Sequence, residues 1–135
     1  MKHRTKPVTN SQILHWLTDL LARLVETHGI DHALIAATLI IAPEEVELLL
    51  AGSTASLDPA RGRRLAFLAN ILLRLEVRLY GDSRAIRIAL DTPLVRLKGR
   101  SPRECMAGEL TDLRAARDSI DHVEAPKVRW WRIGH

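Results

Sequence analysis

The amino-acid sequence predicts an all-α protein, and three observations carry that expectation. Apolar residues make up 47% of the 135 positions while aromatic residues make up only 4%. Leu, Ile, Val and Ala must therefore fill the core, as they do between packed helices. The apolar positions recur every three or four residues, which places them on one stripe of a helix rather than on one face of a strand. The six prolines and seven glycines fall near the ends of these periodic segments, where a helix starts on Pro and stops on Gly. A chain of this length makes one domain or two small intertwined ones and buries roughly two-thirds of its unfolded surface.

Residues 1–10 read as a flexible basic lead. The first helix is expected over about 11–27, where Leu14, Leu17, Leu21 and Leu24 keep helical spacing and Ile13, Trp16 and Leu20 widen the stripe. His28-Gly29 ends it, the glycine supplying a left-handed cap. A second helix is expected over about 31–39. A third runs over about 43–50, with Pro43 in its first turn and Gly52 as its stop. Asp58-Pro59 opens the longest helix, over about 58–80, halted by Gly81. Along it Leu65, Leu68, Leu72, Leu75 and Leu79 step by three, four, three and four, a coiled-coil spacing. That seam is either the centre of the fold or a homodimer contact. Ser83 is expected to cap a short helix to about residue 90, Ser101-Pro102 opens another to about 107, and Thr111 caps the last, to about 123. The organisation predicted is a helical bundle over 11–81, a small helical domain over 82–124 and a tail over 125–135.

Charge is unevenly distributed. No Lys or Arg stands between Arg23 and Arg61, whereas Arg61 to Arg103 holds eleven basic residues against Glu76, Asp82 and Asp91. Such segregation creates fields that steer partners. Arg61, Arg63 and Arg64, at the start of the long helix, are the best candidates for DNA phosphate contacts. They serve equally well as a solvated first turn or as a face for an acidic protein.

Several classes are set aside. No apolar run approaches the 18 residues of a membrane span, and Met1–Pro7 lacks the apolar stretch of a signal peptide. The single Cys105 forms no intrachain disulfide and reads as a buried small side chain, so a cytoplasmic location is expected. His28 and His32 are four apart, but Gly29 breaks any shared helix face, and no paired-Cys or His-Glu-x-x-His pattern exists. No nucleophile stands beside a base and no Gly-rich loop cradles phosphate. The expectation is a protein that is no enzyme and carries no cofactor and no metal.

The most informative stretch is 88–124. Leu90-Asp91-Thr92-Pro93 is followed by Leu97-Lys98-Gly99-Arg100-Ser101-Pro102-Arg103-Glu104. Ser101 is placed to cap, Pro102 suits the first helical position, and Glu104 closes a capping box. Pro93, Leu97, Gly99, Ser101-Pro102 and Gly108 make this segment resemble the toxin-binding domain of the Xre/MbcA/ParS antitoxin family. Ala89 stands where that family usually has Trp, and Leu94 where it usually has Asn. Residues 35–52 resemble the family's helix-turn-helix more loosely, through Ala36, Ile41, Val46, Leu49 and Gly52. Ile40 stands where Gly is usual, so a different turn is expected. Glu44, Glu45 and Glu47 at the tip of the would-be recognition helix repel phosphates, which argues against that helix as the main DNA contact.

The resemblance implies an antitoxin that neutralises a RES-type toxin, an enzyme that consumes NAD or transfers its ADP-ribose, by covering the active-site cleft. It also implies possible repression of its own operon, hence operator DNA as a second partner. The toxin-binding residues it points to are Leu97, Gly99, Arg100, Ser101, Pro102 and Arg103. Trp130 and Trp131, two of the three tryptophans, lie in the tail between Arg129 and Arg132. They either fold back on the domain or enter the toxin cleft. A homodimer is expected. The alternative reading is a helix-turn-helix DNA-binding regulator without a toxin.

Overall fold

The computed structural model describes residues 9–124, which form seven α-helices and two single-turn 3-10 segments with no strand among them. The protein is all-α. Helices α1 (Asn10–His28), α2 (His32–Leu39) and α3 (Pro43–Leu50) precede the long α4 (Pro59–Arg78), and α5 (Ser83–Asp91), α6 (Pro102–Met106) and α7 (Leu110–Ser119) follow it. The 3-10 turns are Val95–Leu97 and Ile120–His122. No helix among the described residues is long and apolar enough to cross a membrane.

Side-chain caps set most of the boundaries. Thr9 Oγ1 accepts from the Gln12 N–H at 3.1 Å and Gln12 Oε1 accepts from the Thr9 N–H at 2.9 Å. This capping box draws Asn10 into α1 and out of the expected lead. Asp31 caps α2 through the Leu34 N–H, and Asp58 caps α4 through the Arg61 N–H at 2.8 Å. Asp82, not Ser83, caps α5 through the Ala85 N–H at 3.1 Å. The Ser83 hydroxyl is held elsewhere, 2.7 Å from His28 Nδ1. The last helix starts behind Glu109 rather than at Thr111, because the Asp112 carboxylate reaches back to the Glu109 N–H at 3.0 Å. It tightens into a 3-10 turn at Ile120, a common way for a helix to end.

Helix α4 is the axis of the fold and packs against α1, α2, α5 and α7. Leu65, Leu68, Leu72, Leu75 and Leu79 are all 2% exposed or less. The coiled-coil spacing is therefore an internal seam, covered within one chain, and offers no face to a second copy. Buried residues from both sides of Gly81, from Leu17 to Val123, belong to one continuous cluster. Cys105 lies inside it, and burial pushes its thiol pKa up. Ile13 and Trp16 do not join the core: they are 43% and 62% exposed, because the 14, 17, 21, 24 stripe already faces the packed elements and they lie off its axis.

The α2–α3 turn keeps the backbone that a glycine would give it. Ile40 itself takes φ 57, ψ 53, with its side chain 58% exposed. The chain accepts a β-branched residue in the left-handed region, and the Ile40 carbonyl receives the Arg61 Nε–H at 3.1 Å.

Gly29 closes α1 at φ 64, and a Cβ there would stand 3.3 Å from Arg87 Nη1, which donates to the His28 carbonyl at 2.6 Å. Gly29→Ala should cost about 1–2 kcal/mol from the left-handed strain. Urea denaturation would show a lower midpoint with unchanged far-UV helicity before the transition.

Candidate partner-binding surface

The segment from Thr92 to Ser101 folds into a compact loop through its own backbone. The Leu94 N–H donates to the Arg100 carbonyl and the Gly99 N–H to the Leu94 carbonyl, both at 3.0 Å. Lys98 and Gly99 take consecutive left-handed conformations, φ 58 and φ 81, which turn the chain back on itself. Leu97 is 2% exposed and plugs the loop into the core. Ser101 and Glu104 form the expected capping box: Ser101 Oγ accepts from the Glu104 N–H at 3.2 Å, and Glu104 Oε1 from the Ser101 N–H at 3.1 Å. Both Ser101 and Pro102 are buried.

Two arginines fasten this loop to the rest of the molecule. Arg100 donates to Asp112 of α7 at 3.2 Å and to the Leu97 carbonyl at 3.2 Å. Arg103 forms a two-pronged pair with Asp31 at 2.7 and 2.9 Å and a third bond to Asp91 at 2.6 Å. It thereby clamps α6 to the start of α2 and the end of α5. The Arg103 guanidinium is the main reason the Asp31 carboxyl is held below its ordinary pKa, and Arg103 is raised in return.

Among the six described residues expected to touch a partner, Leu97, Ser101 and Pro102 are thus buried, and Arg100 and Arg103 are tied into internal ion pairs. Gly99 alone is exposed and without a side chain to be engaged. Arg129, Trp130, Trp131 and Arg132 lie outside the described residues. The motif builds the loop, and other residues form its surface. Val95 is 95% exposed and Ile88, on α5, 56%. Ile88 lines an apolar groove of about 430 Å³ with Leu79, Ala85, Leu94 and Val123. Arg84, near Ile88 on α5, and Arg96 and Lys98, next to Val95 in the chain, are exposed with no carboxylate in salt-bridge range among the described residues. Sequence reasoning passed over Ile88 and Val95. The signal was there for Ile88, which falls two residues from each of the inward-facing Ile86 and Leu90 and so points off the buried stripe of α5.

The three arginines at the start of α4 part company. Arg63 is exposed. Arg61 is half-exposed, donating to the Ile40 carbonyl and pairing with Asp58 at 3.6 Å. Arg64 is only 6% exposed and is removed from the candidate phosphate contacts. Its guanidinium donates to the carbonyls of Thr38, Met106 (3.1 Å) and Gly108 (2.8 Å). Helical geometry turns residue 64 roughly 100° from residue 63, which carries it from solvent into the core. On α3, Glu44 and Glu47 are exposed, while Glu45 reaches back to the Ala42 N–H at 3.1 Å.

The chain matches no protein-family model and no curated protein sequence.

Arg64→Ala leaves three carbonyls without their donor and should cost about 3 kcal/mol or more, whereas Arg63→Ala should stay within about 0.5 kcal/mol of wild type. Paired urea titrations would show this contrast. For Arg103→Ala the effect is pH-dependent. Asp31 has a lower pKa folded than unfolded, so its pairing stabilises the fold fully above the unfolded carboxyl value of about 3.9. That contribution is lost as pH falls through the folded value. With the pair partly exposed it amounts to about 1 kcal/mol or less. Melting curves of wild type and Arg103→Ala should therefore separate at pH 7 and converge as pH falls below about 4.

Proposed function

We propose that this chain is the antitoxin of a toxin–antitoxin pair and binds its toxin through α5, the Val95–Leu97 turn and the adjoining groove. The observation that carries this reading is the loop built by Leu97, Gly99 and Ser101-Pro102. It resembles the family pattern in sequence and exposes Val95 beside Arg96 and Lys98, while Ile88 is exposed near Arg84 on the preceding α5. Exposed large apolar side chains with unpaired cations nearby in the chain suit a protein partner with an apolar contact and an acidic rim. The resemblance makes that partner a RES-type toxin acting on NAD, and the antitoxin a steric block rather than an enzyme, working in the cytoplasm. Arg129 to Arg132 extend the reading. Chain connectivity joins Glu124, at the rim of the groove, to the tail, so Trp130 and Trp131 are candidates to occupy the toxin's cleft.

The alternative, a DNA-binding regulator without a toxin, draws its support from Arg61 and Arg63 at the start of α4 and from the α2–α3 pair as a helix-turn-helix. Exposed Glu44 and Glu47 on α3 weigh against it.

Ile88→Asp and Val95→Asp test the toxin reading without disturbing the core, since both side chains are mostly exposed. Each should weaken toxin binding about thirtyfold, the effect of losing roughly 2 kcal/mol at a central contact, with the melting temperature unchanged. Deleting residues 126–135 should weaken inhibition of the toxin and leave the melting temperature unchanged. Undiminished rescue of toxin-expressing cells by both aspartate variants would sink the assignment of this surface.

A further inference from the structure

Ser83, His28 and Glu76 form a hydrogen-bonded chain across three helices. Ser83 Oγ stands 2.7 Å from His28 Nδ1, and His28 Nε2 stands 2.5 Å from Glu76 Oε2. His28 is 55 residues from Ser83 and 48 from Glu76 in sequence, so no short motif announces the set. His28 is 2% exposed, whereas Ser83 is half-buried at the start of α5. Arg23 grips both oxygens of Glu76 at 3.1 Å, and with His28 it holds that carboxyl below its ordinary range. An ionised carboxylate only accepts, so Glu76 fixes the neutral ring in one tautomer. Nε2 carries the proton and donates to Glu76, and the Nδ1 lone pair accepts the Ser83 hydroxyl. The N–H groups of Ser83 and Arg84 have no acceptor among the described residues, since Asp82 satisfies only those of Ala85 and Ile86.

We infer that Ser83 is the nucleophile of a carboxylic-ester hydrolase site, with His28 as its base and Glu76 as the group that orients the base. A hydroxyl, a base aimed at it and a carboxylate behind the base are the arrangement that acyl transfer uses. The free N–H groups of the nucleophile and of the residue after it are the kind of donor that holds a developing oxyanion. Ser83 Oγ attacks the ester carbonyl carbon while its proton passes to His28 Nδ1. The bond to the alcohol oxygen breaks, and the alcohol leaves with the proton from His28. Water then adds to the acyl group on Ser83 and gives a proton to His28. The Ser83–acyl bond breaks, the acid departs and Ser83 regains its proton. Arg84 and Arg87 line a shallow groove of about 360 Å³ with Ile88, Asp91 and Thr92. Arg87 Nη1 also donates to the His28 carbonyl at 2.6 Å, so the groove adjoins the relay and offers room for a short ester. Toxin binding through α5 and the Val95–Leu97 turn does not need Ser83, so the two readings fail separately.

The test treats the full chain with a fluorophosphonate probe and with p-nitrophenyl acetate. The probe should add once to the folded wild type, at Ser83 by peptide mass, and not to the chain in denaturing urea. The acetate ester should be turned over repeatedly, beyond the single acetylation that surface lysines give. Ser83→Ala should lower turnover about 100-fold or more and leave the circular dichroism spectrum unchanged. Glu76→Gln can donate to Nε2 and so reverse the tautomer; it should lower kcat with KM unchanged. A fluorophosphonate that labels another residue or none, turnover that survives Ser83→Ala, or an unchanged kcat in Glu76→Gln would each overturn the inference. The labelling of folded wild type against urea-treated chain decides the matter even where a variant fails to fold.

Discussion

The guanidinium of Arg64 joins parts of the chain that lie far apart in sequence. It extends from the central helix and donates to the last turn of α2 at Thr38 and to the end of α6 at Met106 and Gly108. Those carbonyls come from either side of α4 in the sequence, at helix ends that leave backbone acceptors without intrahelical partners. Burying a cation is costly unless every donor finds an acceptor. Desolvation accordingly pulls the Arg64 pKa down from its ordinary value, opposed by the nearby charge of Glu109. With the guanidinium in place, α2, α4 and α6 have a fixed separation, and the loop that precedes α6 inherits its position from them.

The same logic recurs elsewhere. His28, 2% exposed, lies between Ser83 at 2.7 Å and Glu76 at 2.5 Å, and Glu76 also takes a two-pronged contact from Arg23 at 3.1 Å. Arg23, with His28, holds the Glu76 carboxyl below its ordinary range. This knot ties α1 to α4 and α5. Arg78 donates to the Val123 carbonyl at 2.7 Å and Arg87 to that of His28. Much of the positive charge that reads in one dimension as a partner-steering field therefore acts inside the molecule, holding helix ends together. What is left over among the described residues is informative because it is a minority: Arg84 on α5, Arg96 and Lys98 next to the exposed Val95, Arg63 on α4 and Arg114 on α7.

The loop between α5 and α6 shows how a motif and a surface divide their work. Leu97, Ser101, Pro102 and the two arginines that anchor the loop are needed to make its shape and are hidden or occupied in doing so. The side chains of Val95, Arg96 and Lys98 take part in none of these side-chain contacts and remain available. Residues that specify a structure and residues that meet a partner can thus be neighbours in sequence with opposite roles, and the alternation between them follows the turn of the backbone.

By itself the sequence determined the all-α class, the order of the helices and most of their starts. Those depend on short-range physics: apolar spacing of three and four, Asp or Ser one residue before a helix, Pro at its first position and Gly at its end. It also determined the Ser101–Glu104 box, because both partners lie within one turn. Tertiary structure decided the rest. Whether the Leu65–Leu79 seam faces inward or toward a second copy depends on which helices cover it, and α1, α2, α5 and α7 do so from distant points in the chain. Asp82 displaced Ser83 as a cap because His28, 55 residues away, held the serine hydroxyl. Arg63 and Arg64 are adjacent letters of the same type, yet one is in water and the other in the core. A rotation of roughly 100° per residue on a helix packed from both sides separates them, and no local pattern records which side will be packed.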